Sequence, residues 1–480
     1  MPTTKAAACA AMLVALAGYV LSGTPVLAAE AAGIDGASLS LAWGIPFVGM
    51  LLSIAVIPLL AGHFWHHNYG KVALLWSLVL LVPFVLSFGS GLVVYEVVHA
   101  ALLEYVPFII LLFSLFTISG GILLTGNLKG SPAVNTSLLA IGTVLASIIG
   151  TTGASMVLIR PLLRANDERR YNVHTVVFFI FLVSNIGGSL TPLGDPPLFL
   201  GFLKGVDFFW TTQHLFHDTA VVGVILLAAF YLLDRHFYAR EEGRAPKCDP
   251  TPTTEGLGLR GVRNLPLLAG VIVAILMSAL WKPGIEFNIL GTHVPLPSVM
   301  RDLALLALAG VSIWITPAFI RERNGFDWEP IREVAKLFAA IFLTIIPVIA
   351  ILKAGADGAL APLVALVTGE GGEPFNAGYF WMTGLLSGFL DNAPTYLVFF
   401  NLAGGDAQEL MTTHAVTLEA ISAGAVFMGA LTYIGNAPNF MVLAIAKSRG
   451  VAMPSFFGYM AWSGLFLLPC FALLTWLYFL

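Results

Sequence analysis

Two acidic residues lie in segments whose composition suits the binding of a cation or a proton. Asp195 lies within Ser-Leu-Thr-Pro-Leu-Gly-Asp-Pro-Pro, residues 189–197, and Asp391 begins Asp-Asn-Ala-Pro-Thr, residues 391–395. Ionisable groups in apolar segments are costly and by default functional. Burial favours the protonated carboxyl, whereas a nearby cation favours the carboxylate, so one such group can exchange a proton for sodium. That competition is the minimal chemistry of antiport.

Hard cations such as sodium prefer oxygen ligands, which surround both acidic residues in the sequence. We therefore predict that Asp195 and Asp391 are sodium ligands within two sets of binding residues. The first set adds Asn185, Thr191, Gly194, Thr151, Thr152 and Ser155, and the second adds Asn392, Thr395, Thr432, Asn436 and Asn439. Each Asp also has a structural alternative. Asp195 could cap a following half-helix, and Asp391 could belong to a polar turn.

The composition shows what kind of chain must position these residues. Hydrophobic residues make up 58% of the 480 residues and charged residues 10%, with a mean hydropathy of +0.89 and a net charge of −4. Soluble domains carry about 25% charged residues, so the chain is predicted to be an all-α polytopic membrane protein. A nucleic-acid-binding face is excluded. The scattered Cys9, Cys248 and Cys470 favour neither a disulfide framework nor a zinc site.

The N-terminus resembles a secretory signal. Residues 1–28 contain Lys5 as their only charge, then an apolar run, and small residues precede a possible cleavage after Ala28. We expect a cleaved signal peptide; the alternative is a retained first transmembrane helix. Either reading places the chain in a membrane, most simply a bacterial inner membrane.

The longest polar stretch, residues 234–264, is rich in Arg and is predicted to be cytoplasmic, because Lys and Arg collect on that side. It divides the chain into residues 41–234 and 265–480, with 235–264 as a linker. The apolar runs of near-membrane length are Leu41–Leu60, Val72–Phe88, Tyr105–Thr125, Val134–Gly150, Val173–Leu190, Thr219–Leu233, Leu265–Trp281, Leu303–Ile320, Leu337–Leu352, Gly378–Leu390, Leu418–Ala430 and Phe456–Leu480.

The two halves repeat each other. Residues 189–197 align with 430–438 at an offset of 241, and residues 151–155 align more weakly with 391–395 at an offset of 240. Each half thus has an interrupted segment followed by a helix broken by Gly and Pro. Such paired breaks are typical of a transporter binding site at the bilayer midplane. Alternatively, Gly and Pro merely kink packed helices.

The distribution of basic residues predicts opposite orientations for the two halves. Arginines follow the first interruption, so residues 134–165 are predicted to form a re-entrant hairpin that enters from inside. Residues 378–402 are predicted to enter from outside. The broken helices 173–203 and 418–446 then cross in opposite directions. This gives two inverted repeats, each with five crossings and one hairpin, or ten crossings in total.

These motifs resemble a known superfamily. Residues 184–197, 389–395 and 429–439 look like the signatures of the ion-transporter superfamily that includes NhaD-type sodium/proton antiporters, arsenite permeases and citrate-metal transporters. The resemblance covers roughly residues 40–480 and implies a functional Asp and nearby hydroxyls at Asp195 and Thr191. Pro196 and Pro197 depart from the NhaD pattern, where small or hydroxyl residues are expected. Members of this subgroup are named either sodium/proton antiporters or citrate transporters.

Other polar residues have a functional and a structural interpretation. Arg160 could pair with a carboxylate or an anionic substrate, or it could be an anchor at the membrane surface. Glu96, His99 and Glu104 are expected on an external interfacial helix, and residues 321–336 on its internal counterpart. His63, His66 and His67 could form a metal cluster or pH sensor, or could be solvated in a short loop.

Three functions follow from these patterns. The sequence favours a sodium/proton antiporter, because Asp195 and Asp391 occur without Lys or Arg at either tip. The alternative is a cation-coupled transporter of citrate or another carboxylate. A membrane-embedded enzyme is disfavoured, because the chain has no recognisable nucleophile or metal motif. The expected partners are sodium, protons, a carboxylate and the lipid bilayer, with no cofactor; by analogy with related transporters, a homodimer is expected.

Overall fold

The computed structural model describes residues 34–126, 128–241, 258–369 and 372–480. The signal peptide predicted for residues 1–28 and much of the predicted linker lie outside these ranges. The described chain is mostly helical, as the sequence analysis predicted, and it contains two small antiparallel sheets of two strands each.

The elements that precede residue 242 hold the first hairpin and the first broken helix. They are α1 (Ile45–Leu60), α2 (Gly62–Phe88), α3 (Ser90–Ala100), a π-helical turn (Ala101–Tyr105), α4 (Val106–Ser119), β1 (Leu123–Thr125), α5 (Pro132–Ile149), α6 (Thr151–Ala165), α7 (Val173–Leu182), a 3-10 turn (Ile186–Leu190), α8 (Pro196–Leu203) and α9 (Trp210–Glu241).

The elements that follow residue 257 hold the second hairpin and the second broken helix. They are β2 (Gly258–Arg260), α10 (Leu265–Leu280), β3 (Glu286–Ile289), β4 (Thr292–Pro295), α11 (Leu296–Ile315), α12 (Ala318–Arg323), α13 (Glu329–Thr344), α14 (Ile346–Lys353), α15 (Ala361–Val367), α16 (Asn376–Phe389), α17 (Asn392–Leu402), α18 (Ala407–Thr412), α19 (Ala415–Met428), a 3-10 turn (Gly429–Leu431), α20 (Ala437–Ser448) and α21 (Phe456–Leu474).

The chain is a multi-pass membrane protein. The described residues contain nine helices long and apolar enough to cross a membrane, or ten if the bent pair α13 and α14 counts as one span. These nine include Pro132–Ile149, which the sequence analysis assigned to a hairpin arm. Large apolar side chains such as Leu86 and Trp314 are more than four-fifths exposed, as expected for surfaces that contact lipid.

The first broken helix lies at the centre of the molecule. In Val173–Leu190, 89% of the residues are buried, against 17% in the 18 residues that represent the outer span Gly62–Phe88. Every residue of α19 from Leu418 to Met428, except Glu419, is buried as well. Unpaired backbone groups cannot face lipid and are tolerated only inside protein or along a cavity. The outer helices therefore shield the two breaks from the hydrocarbon.

Two pairs of helices fold back on themselves, as predicted. The Gly130 amide, before α5, donates to the Ala165 carbonyl at the end of α6 over 2.7 Å. In the second half, the Tyr379 hydroxyl near the start of α16 donates to the Leu402 carbonyl at the end of α17. Since the first and last turns of each pair meet, α5–α6 and α16–α17 are helical hairpins whose tips lie at the opposite end.

The same contacts recur in the two halves at an offset of 241 residues. Thr191 donates its hydroxyl hydrogen to the Ser147 carbonyl, and Thr432 donates to the Gly388 carbonyl, both over 2.5 Å. Gly150 and Asp391 stand before the first residue of α6 and α17 and share this offset. The offset of 240 predicted for the hairpin tips was thus wrong by one residue.

Two predicted surface segments belong to longer helices. The stretch with Glu96, His99 and Glu104 continues without interruption from Ser90 to Ser119, and Glu104 is buried, so it is no separate interfacial helix. His63, His66 and His67 lie in the first turns of α2 and not in a loop. No group of residues suited to a metal ion occurs in the described ranges.

Three predicted boundaries also differ. The run Tyr105–Thr125 leaves the helix at Ser119, because its last residues form β1, which pairs with β2 near the end of the predicted linker. Residues 321–336 are divided between α12 and α13, and α13 bends by 41° into α14. Helix α9 extends to Glu241, so the polar stretch begins as a helix.

A buried ion-pair cluster fastens the first hairpin to α7 and α9. The Asp234 carboxylate, on α9, accepts from Arg169 over 2.5 Å and from the Asn135 amide over 2.9 Å. The His174 ring nitrogen lies 2.8 Å from the same carboxylate. Arg169 also contacts Glu241 over 3.2 Å. Because Asp234 is fully buried, its charge depends on these partners.

We predict that Asp234→Asn destabilises the protein by about 3 kcal/mol, since it breaks a buried ion pair and leaves the Arg169 guanidinium with Glu241 as its remaining counter-charge. The thermal midpoint in detergent measures this loss. Arg332→Gln, which removes a largely exposed ion pair with Glu329, is the matched control and should change the midpoint little. Equal midpoints for both variants would show that the buried cluster does not hold the hairpin.

Candidate functional site

Four helices begin at one cavity of about 90 Å³. Helices α6 and α17 start at the hairpin tips with Thr151 and Asn392, and α8 and α20 start after the breaks at Asp195 and Asn436. All four of these residues line the cavity. The repeated motifs of the two halves therefore converge on one place in the folded chain.

Asp195 is almost completely buried, and its carboxylate is not a helix cap. The first two residues of α8 are Pro196 and Pro197, which have no backbone N–H to donate. Within the described chain, no backbone amide of α8 bonds the Asp195 side chain. The two prolines that depart from the NhaD pattern thus leave the carboxylate available for other partners.

Neutral side chains from three other segments hold the Asp195 carboxylate. One oxygen accepts from the Thr151 hydroxyl over 3.0 Å and from the Asn436 amide over 2.9 Å. The other oxygen accepts from the Asn392 amide. Two of the three donors come from the second half. Because no donor is charged, a cation or a proton can still add to this group with a large gain in energy.

An asparagine network joins the two breaks behind Asp195. The Asn436 amide also reaches the side-chain oxygen of Asn185 over 3.2 Å, and the Asn185 amide donates to Asn439 over 2.8 Å. Asn439 in turn donates to the carbonyls of Gly429 and Thr432, both over 2.9 Å. These bonds satisfy backbone groups that the break would leave unpaired. Asn185 and Asn439 therefore support the site from behind and do not line the cavity.

Several predicted ligands have structural contacts instead. Thr191 and Thr432 tie each break to the neighbouring hairpin. Ser155 lies 3.0 Å from the Ser184 hydroxyl, and Thr395 bonds back to the Asp391 carbonyl over 2.7 Å. None of these four is among the described residues that line the cavity. Their predicted role as direct ligands is therefore not supported by this arrangement.

Asp391 differs from Asp195 in its contacts. It lines the cavity, but its side chain caps its own helix by accepting from the Ala393 amide over 3.1 Å. The turn interpretation of Asp-Asn-Ala-Pro thus describes part of its role. At the equivalent position before α6, Gly150 has a φ of +82°, which favours glycine. Thr152 and Gly194, which were also predicted to bind the ion, line the cavity.

Close packing of glycines shapes the break before Asp195. A Cβ atom on Gly194 would overlap the carbonyl of Gly188. The Gly194 carbonyl accepts the Thr151 amide over 2.8 Å, so the hairpin tip rests directly on the break. Any larger residue at Gly194 would push the tip away from the carboxylate.

The cavity wall was missed by sequence reasoning. Helices α4 and α13 close one side with apolar side chains, and none of the described residues that line the cavity is Lys, Arg or His. The wall residues are Leu111, Leu112, Leu115, Phe116, Pro330, Ile331, Val334 and Phe338. A signal was present in the amphipathic pattern of residues 329–344, but it suggested a surface helix.

The chain matches a known family over almost its entire length. The model of the family described as "Putative citrate transport" covers residues 36–479. The chain belongs to this family. It is therefore a transporter, and the broken helices and the cavity are parts of a membrane transport protein.

Relatives with curated names come from mycobacteria. Proteins named "uncharacterized transporter" in Mycobacterium tuberculosis and Mycobacterium bovis are each 25% identical over 412 residues, which cover 83% of this chain and 84% of theirs. A "46 kDa membrane protein" of Mycobacterium leprae is 26% identical over 327 residues, or 67% of this chain and 71% of the relative. The first two names support the transporter class, and none of the names gives a substrate.

We predict that Asp195→Asn abolishes transport while the protein still folds and inserts, because Asn keeps the size of Asp but cannot carry a charge or bind a proton. Asp391→Asn is the matched variant and should reduce transport much less, since Asn caps a helix as well as Asp does. Uptake of the transported substrate into membrane vesicles, normalised to the amount of inserted protein, measures the transport activity of both variants. Near-normal uptake by Asp195→Asn would show that Asp195 does not bind the coupling ion.

Proposed function

We propose that the protein is a secondary active transporter that carries citrate or a similar carboxylate together with a cation or proton. The observation that carries this proposal is that four helices begin at one cavity, because the first amides of a helix carry partial positive charge and can bind an anion. The family description supports the carboxylate.

The helix starts supply the binding groups for an anion. The first amides of a helix have no intrahelical acceptor and carry partial positive charge. Helix α6 begins with Thr151-Thr152-Gly153 and has no proline in this turn, so the amides of Thr152 and Gly153 are suited to a carboxylate. Helices α8, α17 and α20 have prolines in their first turns and offer fewer amides.

The two acidic residues explain why such an anion would need a cation. Two like charges about 4 Å apart repel each other by about 4 kcal/mol at an effective dielectric of 20. That penalty corresponds to roughly a thousandfold loss of affinity. A substrate carboxylate beside Asp195 and Asp391 would therefore bind only when a proton or metal cation neutralises the site. Coupling follows from the charge of the cavity itself.

Arg160 offers a second contact for an anion. It lies nine positions after Thr151 on α6, or about 13 Å along the helix. Its Nη1 atom is buried without a hydrogen-bond partner among the described residues. The side chain is half-buried as a whole, but a buried nitrogen without a partner is costly, and a passing carboxylate would satisfy it. This supports the substrate interpretation of Arg160 over a membrane anchor.

Sodium/proton exchange, which the sequence favoured, remains the second candidate. The observation in its favour is the size of the cavity, since about 90 Å³ accommodates a small cation, whereas citrate requires the site to open. In this mechanism Asp195 alternates between sodium and a proton, with no organic anion.

Reconstituted liposomes with an internal pH dye separate these two functions. We expect citrate, added with sodium, lithium or potassium, to start proton or charge movement, and we expect no signal from these cations alone. Liposomes with Asp195→Asn are the control and should remain silent. Sodium-driven proton movement without any carboxylate would favour exchange. In that case the apparent sodium affinity should weaken as pH falls, approaching about tenfold per pH unit once the carboxyl is protonated.

We also propose that the two halves are inverted repeats in the inner membrane, so that the hairpin tips enter from opposite faces. The exposed bases of the two hairpins test this topology, through Lys129→Cys and Glu373→Cys in a chain without its three native cysteines. A membrane-impermeant thiol reagent should label Lys129→Cys from the cytoplasmic face and Glu373→Cys from the outer face. Labelling of both from one face would contradict the inverted arrangement.

A further inference from the structure

One buried carboxyl group that lies apart from the cavity has no partner of opposite charge. Asp218 is on α9 and is completely buried. Neither of its carboxylate oxygens has a hydrogen-bond donor among the described residues. Buried polar groups almost always have a hydrogen-bond partner, and burying a carboxylate without one costs more free energy than burying most other polar groups. Asp218 therefore needs a hydrogen-bond donor that the surrounding neutral and basic groups do not supply.

Glu419, on α19, faces Asp218 from the second half. Helices α9 and α19 pack against each other, and the two carboxyl groups interact across this contact. Two carboxylates accept and cannot donate, so the contact is repulsive when both are ionised and favourable when they share one proton. A shared proton supplies the donor that Asp218 lacks.

The other titratable groups near this pair do not replace that proton. His214, one turn before Asp218 on α9, and His217, directly before it, interact electrostatically with Glu419, and Tyr478 lies near both carboxyl groups. The His214 ring stacks on Trp210, with ring centroids 4.1 Å apart, and its Nδ1 atom lies 2.9 Å from the Trp210 carbonyl. None of the described Lys or Arg residues pairs with Asp218 or Glu419.

The pair is mechanically connected to both breaks. The Thr219 hydroxyl, next to Asp218, lies 2.6 Å from Ser189 in the first 3-10 turn. Thr212, also on α9, donates to the Leu190 carbonyl over 2.5 Å. On the other side, α19 runs into the second break, whose Asn436 holds Asp195. Loss of the shared proton would push α9 and α19 apart and displace the segments that carry the Asp195 site.

We propose that Asp218 and Glu419 form a proton-binding dyad, separate from the Asp195 site, whose protonation is coupled to the movement of the broken helices. The evidence for the proton site is the contact between the Asp218 and Glu419 carboxyl groups, whereas its role in coupling rests on the proposed function. A metal ion is a poorer occupant, since no group of three or more potential metal ligands occurs in the described chain.

Infrared spectroscopy of the purified full chain tests the proton without any substrate. We expect the wild type to show a protonated-carboxyl band that persists in Asp195→Asn and is lost in both Asp218→Asn and Glu419→Gln. Ser422→Ala, one turn from Glu419 on α19, is the matched control and should keep the band. An unchanged band in Asp218→Asn would overturn the proposal, as would displacement of the band by sodium or magnesium ions.

A transport arm tests the coupling. In liposomes, uptake of citrate driven by a pH gradient should fall at least tenfold in Asp218→Asn, whereas counterflow at equal pH should remain. If the band is lost but gradient-driven uptake is unchanged, the dyad holds a proton without coupling it, and the coupling proposal is wrong. Failure of wild-type citrate uptake would reject the proposed substrate, and the infrared result would still decide the dyad. Glu419→Gln removes the same shared proton if Asp218→Asn fails to fold.

Discussion

A carboxyl group and two stretches of non-helical backbone must be kept out of the lipid, and the rest of the structure follows from that requirement. Asp195 is held by three neutral donors from Thr151, Asn392 and Asn436. Two of these donors belong to the second half, so neither half can satisfy the carboxylate alone. The packing of the two halves against each other is therefore built into the site, and the apolar outer helices cover what remains.

The halves share a framework and differ where charge matters. Thr191 and Thr432 make the same bond to the neighbouring hairpin, 241 residues apart. The functional positions are exchanged, however. The first half has Asp195 at the break and Gly150 at the hairpin tip, whereas the second has Asn436 at the break and Asp391 at the tip. Each half thus contributes one carboxyl group. Asp391 caps its own helix, whereas Asp195 does not, because the prolines that follow it have no amide to donate.

Buried ionisable groups outside the cavity also mark contacts between elements. Asp234 connects the first hairpin to α7 and α9, Lys204 at the end of α8 pairs with Glu104 in the π-helical turn, and Asp218 meets Glu419 between α9 and α19. Burying such groups in a membrane costs free energy, so we expect them where two elements must hold, or change, their position relative to each other. In the first two contacts a cation balances the acid; in the third, two acids face each other.

Much of this arrangement could be predicted from the sequence. Hydropathy, proline and glycine are local signals, and the internal repeat is visible when the two halves of the sequence are aligned. They predicted the membrane class, the two pairs of helices that fold back, both breaks and the position of Asp195 in the first of them. Contacts between distant segments were decided only by the tertiary structure. Whether a hydroxyl or amide reaches Asp195 depends on side-chain direction, which separates Asn392 and Asn436 from Thr191 and Ser155 although all four are equally polar. Residue spacing could not predict three further features: the apolar wall from α4 and α13, the burial of Glu104, and the contact of Asp218 with Glu419. The residues involved lie far apart in the chain and are brought together only by packing.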